Sequence, residues 1–132
     1  MSDSPELVVR NFLACWVKSD IEEIASFFDN DAVYVDGPNG THRGLKDIKA
    51  TLGNHAELAP STTADIKAIV SDGPTVIVER VDNFQMGGIP LYLEAVGVFE
   101  IDTDAKIKRW RDYYDMKSTM DQIEAAGISI SE

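Results

Sequence analysis

Apolar residues recur every three to four positions over residues 5–18, where Leu7, Val8, Phe12 and Trp16 fall on one face, and this spacing predicts a helix. Ser4 is its candidate N-cap and Pro5 its first residue. A shorter helix is predicted over 21–28, with Ile21, Ile24, Phe27 and Phe28 on one face and Glu22 and Glu23 in the first turn, where the helix dipole favours negative charge. Asp29-Asn30-Asp31 reads as a turn, 32–36 as a strand, and Gly37-Pro38-Asn39-Gly40 as the turn that ends it. A third helix is expected over 45–52. From Thr62 the texture becomes β, in segments 62–70, 75–85, 91–101 and 106–114, whose separators are short enough for hairpins. A closing helix is expected over 118–126, before Gly127.

Helices first and an antiparallel meander last imply an α+β fold in which a curved sheet wraps around the helices and encloses a pocket on its concave side. The 132 residues, 44% of them hydrophobic, are read as a single domain over 1–132. The net charge of -11 argues against nucleic acid or an anionic membrane as partner, since both require a basic surface. No apolar run approaches the roughly 18 residues of a membrane span, and the N-terminal residues lack a basic segment leading into an apolar one. A cytoplasmic location and a small apolar or weakly polar ligand are the expectations. Cys15, the one cysteine, lies in the apolar pattern of the first helix and is expected to be an inert, buried thiol.

Side chains two apart on a strand share a face. Val76, Val78, Arg80, Asp82 and Phe84 therefore lie together, as do Trp110, Asp112 and Tyr114, and Ala32, Tyr34 and Asp36. Periodicity alone leaves open whether Arg80 and Asp82 form an outward, solvated ladder or point inward. It permits Tyr34, Asp36, Arg80, Asp82 and Asp112 to converge in one cavity, where buried charges would need partners.

Glu79-Arg80-Val81-Asp82, followed about thirty residues later by Trp110-Arg111-Asp112-Tyr113-Tyr114-Asp115, resembles the two signature strands of the limonene-1,2-epoxide hydrolase family. The resemblance also takes in the helical start, the strand with Tyr34, Val96-Gly97-Val98-Phe99 and Asp115-Met116. It implies a cone-shaped, cystatin-like α+β barrel of the SnoaL-like and nuclear transport factor 2-like superfamily. It further implies a site in which Asp112 is the base that activates water, Asp82 the acid and Arg80 the bridge between them. Tyr34 and Asp36 match the family's water-holding Tyr-x-Asn pair, with an aspartate in place of the asparagine. Such a carboxylate, when ionised, accepts hydrogen bonds and cannot donate them.

Asp36-Gly37-Pro38 also resembles the segment that carries the proton-abstracting aspartate of ketosteroid isomerases. The positions that would supply that family's oxyanion donors are Phe12 and the neighbourhood of Gly97, neither of which offers a side-chain donor. An isomerase or SnoaL-like cyclase is the second reading and a pocket that binds without turnover the third. Phe12, Trp16, Val78, Phe84, Trp110, Tyr114 and Met116 are the expected pocket lining. Met86, Met116 and Met120 are expected to fill gaps in the core or pocket, Glu94 to face outward, and His42 and His55 to be ordinary loop histidines. Gly87-Gly88 is a hairpin turn. No cofactor or metal is expected. The resemblance further implies a homodimer through the outer sheet face bearing Arg109, Arg111 and Tyr113.

Overall fold

The helix starts follow from residues able to accept the orphan amide protons of a first turn. In the computed structural model, which describes residues 3–128, Ser4 caps α1 (Pro5–Cys15) by accepting from the Leu7 amide at 3.2 Å. Asp20 caps α2 (Ile21–Ala25) through the amides of Glu22 and Glu23. Helix α3 (Leu45–Leu58) begins after Gly44, and α4 (Met116–Ala125) begins at Asp115, whose carboxylate accepts from Lys117.

Six strands form one sheet: β1 (Phe28–Asp36), β2 (Thr41–Arg43), β3 (Thr63–Asp72), β4 (Thr75–Met86), β5 (Ile89–Ile101) and β6 (Ile107–Tyr114), in the order β2-β1-β6-β5-β4-β3. Strands β1 and β6 pair in parallel and every other pair is antiparallel. The fold is thus α+β, a mixed curved sheet folded over four helices. Gly87 and Gly88, with φ of +59° and +80°, make the tight turn between β4 and β5.

Several boundaries differ from those read off the sequence, for physical reasons. Residues 29–31 belong to β1, whose register against β6 is irregular between Phe28 and Val33. Helix α2 stops at Ala25, freeing Phe28 for the sheet. The three-residue edge strand β2 was not anticipated. Helix α3 continues through Gly53 to Leu58, because Ile48, Leu52 and Ala56 bury one face of it. That packing outweighs the roughly 1 kcal/mol helix cost of a glycine.

The core sits under α1. Phe12 is fully buried and meets the rings of Trp16, Phe27, Phe28, Phe99 and Trp110 at centroid distances between 5.2 and 6.1 Å, all edge-on. Phe12 is therefore a core hub. Cys15 is half-buried, donates to the Phe12 carbonyl, and has its thiol pushed up to about 11 by burial and the Glu23 charge. Met120 is exposed rather than packed, and Glu94 is exposed as expected.

Candidate active site

Strand register lays the inner face out in rows. One row runs Asp36, Asp112, Gly97, Val78, and the next runs Tyr114, Ala95, Arg80. Arg80 and Asp112 thus stand on strands separated by β5, about 9.6 Å apart at the usual interstrand spacing. The intervening positions are Ala95 and Gly97. A β-carbon built on Gly97 would come within 2.9 Å of Arg80 Nη1, Asp112 Oδ1 and a Phe99 ring carbon. The bare backbone at Gly97 lets the guanidinium cross β5.

Arg80 then donates from Nη1 to Asp112 Oδ1 at 3.1 Å, from Nη2 to Asp112 Oδ2 at 2.7 Å, and from Nε to Asp82 Oδ1 at 3.1 Å. Trp110 Nε1 adds a bond to Asp112 Oδ1 at 2.8 Å. Among the described residues, three of the four acceptor positions on the Asp112 carboxylate are filled, and the fourth belongs to Oδ2. Arg80 is only 2% exposed. Burial pulls its guanidinium down, but the Asp112 and Asp82 carboxylates more than offset this and hold it above its ordinary value. Asp82 moves up from the usual carboxyl range, chiefly through burial and then the Asp112 charge, with Arg80 opposing.

A second polar group lies beside the first. Asp36 is opposite Asp112 in the parallel β1–β6 register and is 5% exposed. Its Oδ1 accepts from the Tyr114 hydroxyl at 2.8 Å, and Asn39 donates to that same hydroxyl. Gly37 makes room for the Tyr114 ring, since a β-carbon there would fall 2.6 Å from it. Asp36 Oδ2 lies 3.7 Å from His55 Nε2. Burial lowers the His55 imidazole despite the nearby Asp36 charge. Tyr34 stacks on Trp110 at 4.1 Å. Its hydroxyl is raised by burial and by the Asp112 and Asp36 carboxylates that it faces.

Both groups open on one cavity of about 280 Å³, near the lower end of the roughly 300–1,000 Å³ common for ligand sites. Its wall contains Tyr34, Asp36, Arg80, Asp82 and Asp112, so the inward alternative holds for all five. Trp16, Phe84, Trp110, Tyr114, Met86 and Met116 also line it. Phe12 and Val78 do not: both are fully buried beneath α1 in the core, at a depth the cavity does not reach. His55, read as a loop histidine, is on the wall because α3 extends to it. Ile48, Leu52 and His55 keep one helical spacing, the signal that would have found it. His42 instead contacts Thr51 at 3.1 Å. Neither Phe12, in the core, nor Gly97, which has no side-chain space, supplies an oxyanion donor. Among the described residues, no group of three or more His, Cys, Asp or Glu is disposed to hold a metal ion, and no helix is long and apolar enough to cross a membrane.

The family model of the limonene-1,2-epoxide hydrolase catalytic domain matches residues 3–125. The chain belongs to the limonene-1,2-epoxide hydrolase family. Epoxide hydrolase EphG of Mycobacterium tuberculosis is 31% identical over 108 residues, which cover 82% of this chain and 71% of that protein. The structure of an M. tuberculosis LEH-like epoxide hydrolase superposes with a TM-score of 0.77 at 26% identity, covering 89% of this chain and 87% of the other. A SnoaL-like polyketide cyclase structure from Shewanella denitrificans superposes with a TM-score of 0.82 at 16% identity, over 92% and 97% of the two chains. The last likeness is one of fold. Family and relative together support an epoxide hydrolase-like function.

Proposed function

We propose that the chain opens a small apolar epoxide with water in one step, without a cofactor. The observation that carries this reading is the single guanidinium of Arg80, which holds Asp112 by two bonds and Asp82 by a third at the end of an apolar cavity. Two carboxyls doing opposite work need environments that keep one as acceptor and the other as donor. Asp112 presents the fourth position, on Oδ2, to a water molecule. Asp82, shifted upward by burial, supplies a proton.

The water oxygen attacks an epoxide carbon while one of its protons passes to Asp112 Oδ2. The ring carbon–oxygen bond breaks, and the departing oxygen takes the Asp82 proton. The product is a vicinal diol, and one proton has moved from Asp82 to Asp112. Tyr34 and Asp36 complete the water's shell: the tyrosine hydroxyl donates to its oxygen, and the water's second O–H, which it keeps, donates a hydrogen bond to the Asp36 carboxylate. One lone pair is left for attack. An asparagine at position 36 would accept equally well through its amide oxygen.

The test is diol formation from a panel of small epoxides by the wild type, Asp112→Asn and Asp36→Asn. Turnover by the wild type, its loss in Asp112→Asn, and turnover at least as fast in Asp36→Asn are expected. No diol from folded wild type, or an active Asp112→Asn, sinks the reading. Pairing of two copies through the outer face is part of the same proposal. There, Ile77, Val98 and Arg111 form one cross-strand row and Glu79, Val96 and Tyr113 the next, with Ile77 and Tyr113 exposed. A monomer by light scattering at micromolar concentration removes that part.

A further inference from the structure

Helix α4 roofs the cavity with Met116, Thr119 and Ile123, spaced three and four apart on one helical face. Two of these are apolar. The Thr119 hydroxyl is buried and, among the described residues, has no hydrogen-bond partner. The helix cannot readily turn to relieve it, because Gln122 is bonded twice to β5: its Oε1 accepts from the Tyr92 amide at 3.0 Å and its Nε2 donates to the Tyr92 carbonyl at 2.9 Å. These bonds occupy backbone groups that β6 does not reach, since β6 ends at Tyr114 opposite Ala95. The helix is thereby held with Thr119 on the cavity wall.

A buried hydroxyl without a partner destabilises a folded chain, and such groups are rare unless a ligand or water completes them. Met116 and Ile123, which share this helical face, offer such a water no strong partner. We infer that Thr119 is a specificity-determining contact, and that the ligand carries, besides the group that meets Asp82 and Asp112, a second oxygen or nitrogen that hydrogen-bonds Thr119. The preferred epoxide is thus one bearing a hydroxyl, carbonyl or ether away from the ring. This rests on the hydrolase reading for the reaction, though not for the contact itself.

Two measurements on wild type, Thr119→Val and Thr119→Ser decide it. In the ligand-free protein the isosteric valine removes an unpartnered hydroxyl, so the thermal midpoint rises by about 4 °C; a hydroxyl satisfied within the protein or by water would make it fall. In kinetics on two epoxides of equal size, one with and one without a distal hydroxyl, wild type and Thr119→Ser favour the hydroxylated one by about tenfold in kcat/KM. That ratio falls to about one in Thr119→Val. An unchanged ratio in Thr119→Val, or a lowered midpoint, overturns the inference. If wild type makes no diol, the hydrolase reading fails separately, and the same ratio is read from the dissociation constants of the two epoxides.

Discussion

Two carboxylate groups share the cavity, and they are built differently. Asp112 and Asp82 are tied to one guanidinium from β4, which reaches Asp82 on its own strand and Asp112 across β5 on β6. Asp36, one strand further out, is held by a phenol from the end of β6 and faces a histidine from α3. The first group is a closed network of opposite charges, which in a buried site is costly to open. The second is a carboxylate held by one neutral donor, at the side of the cavity where the His55 side chain remains 41% exposed. The difference teaches that carboxylates in one small pocket can be held either by a buried cation or by a neutral phenol beside a titratable imidazole.

Removing the centre of the first group should have the largest effect. Arg80→Met strands the buried Asp112 and the part-buried Asp82, and a loss of about 4 kcal/mol is expected in urea unfolding, together with loss of diol formation. Arg80→Lys keeps the charge but not the fork that reaches both carboxylates, so it should recover part of the stability and little of the activity. Equal stability of Arg80→Met and wild type would show that the network is not what holds the two carboxylates.

A smaller perturbation leaves all the charges in place. Gly97→Ala would put a methyl group within 2.9 Å of Arg80 Nη1 and Asp112 Oδ1, forcing the pair apart. About 2 kcal/mol of stability should be lost to overpacking, and about 100-fold in kcat/KM through misplacement. An alanine variant with unchanged kinetics would mean that the crossing over β5 tolerates a side chain.

The pH dependence of Asp82 separates it from an ordinary surface carboxylate. Its value in the fold is raised above 3.8, first by burial, so the native state favours the protonated form. The corresponding stability is present below pH 3.8 and is lost as pH rises through the raised value. The alkaline limb of kcat/KM should follow the same ionisation, and Asp82→Asn should abolish turnover while flattening the stability profile on that limb. A profile with no such limb in wild type would remove Asp82 as the proton donor.

How much of this was legible in the sequence differs between the two groups for the same structural reason. Strand alternation put Arg80 with Asp82 and Asp112 with Trp110, because a period of two needs no tertiary information. Their meeting across β5 depends on Gly97 and Ala95, small residues whose significance appears only once the register is known. Phe12 and Val78 have the correct inward parity, but parity does not encode depth, and both lie below the cavity in the core. The expected third helix stopped at residue 52, and packing of Ile48, Leu52 and Ala56 carries it on through Gly53 to the His55 side of the cavity. Thr119 lay inside the helix expected over 118–126, but nothing in its helical spacing marks a hydroxyl that faces a cavity.

The smallest expected effect belongs to His55 and probes the second group directly. Burial lowers its imidazole from the ordinary 6.5, against the opposing pull of Asp36. Above pH 6.5 neither the folded nor the unfolded chain carries this proton, so the residue contributes no pH dependence. As pH falls below 6.5 the unfolded chain protonates first, and stability declines until the lowered native value is passed. His55→Gln should remove that decline. Asp36→Asn, by taking away the charge that raises the imidazole, should widen the window in which it occurs. The measurement is the change in urea midpoint between about pH 7.5 and about pH 5 for the three proteins, since differences between profiles cancel the remaining titrating groups. Parallel profiles for wild type and His55→Gln would show that His55 titrates as it does in the unfolded chain.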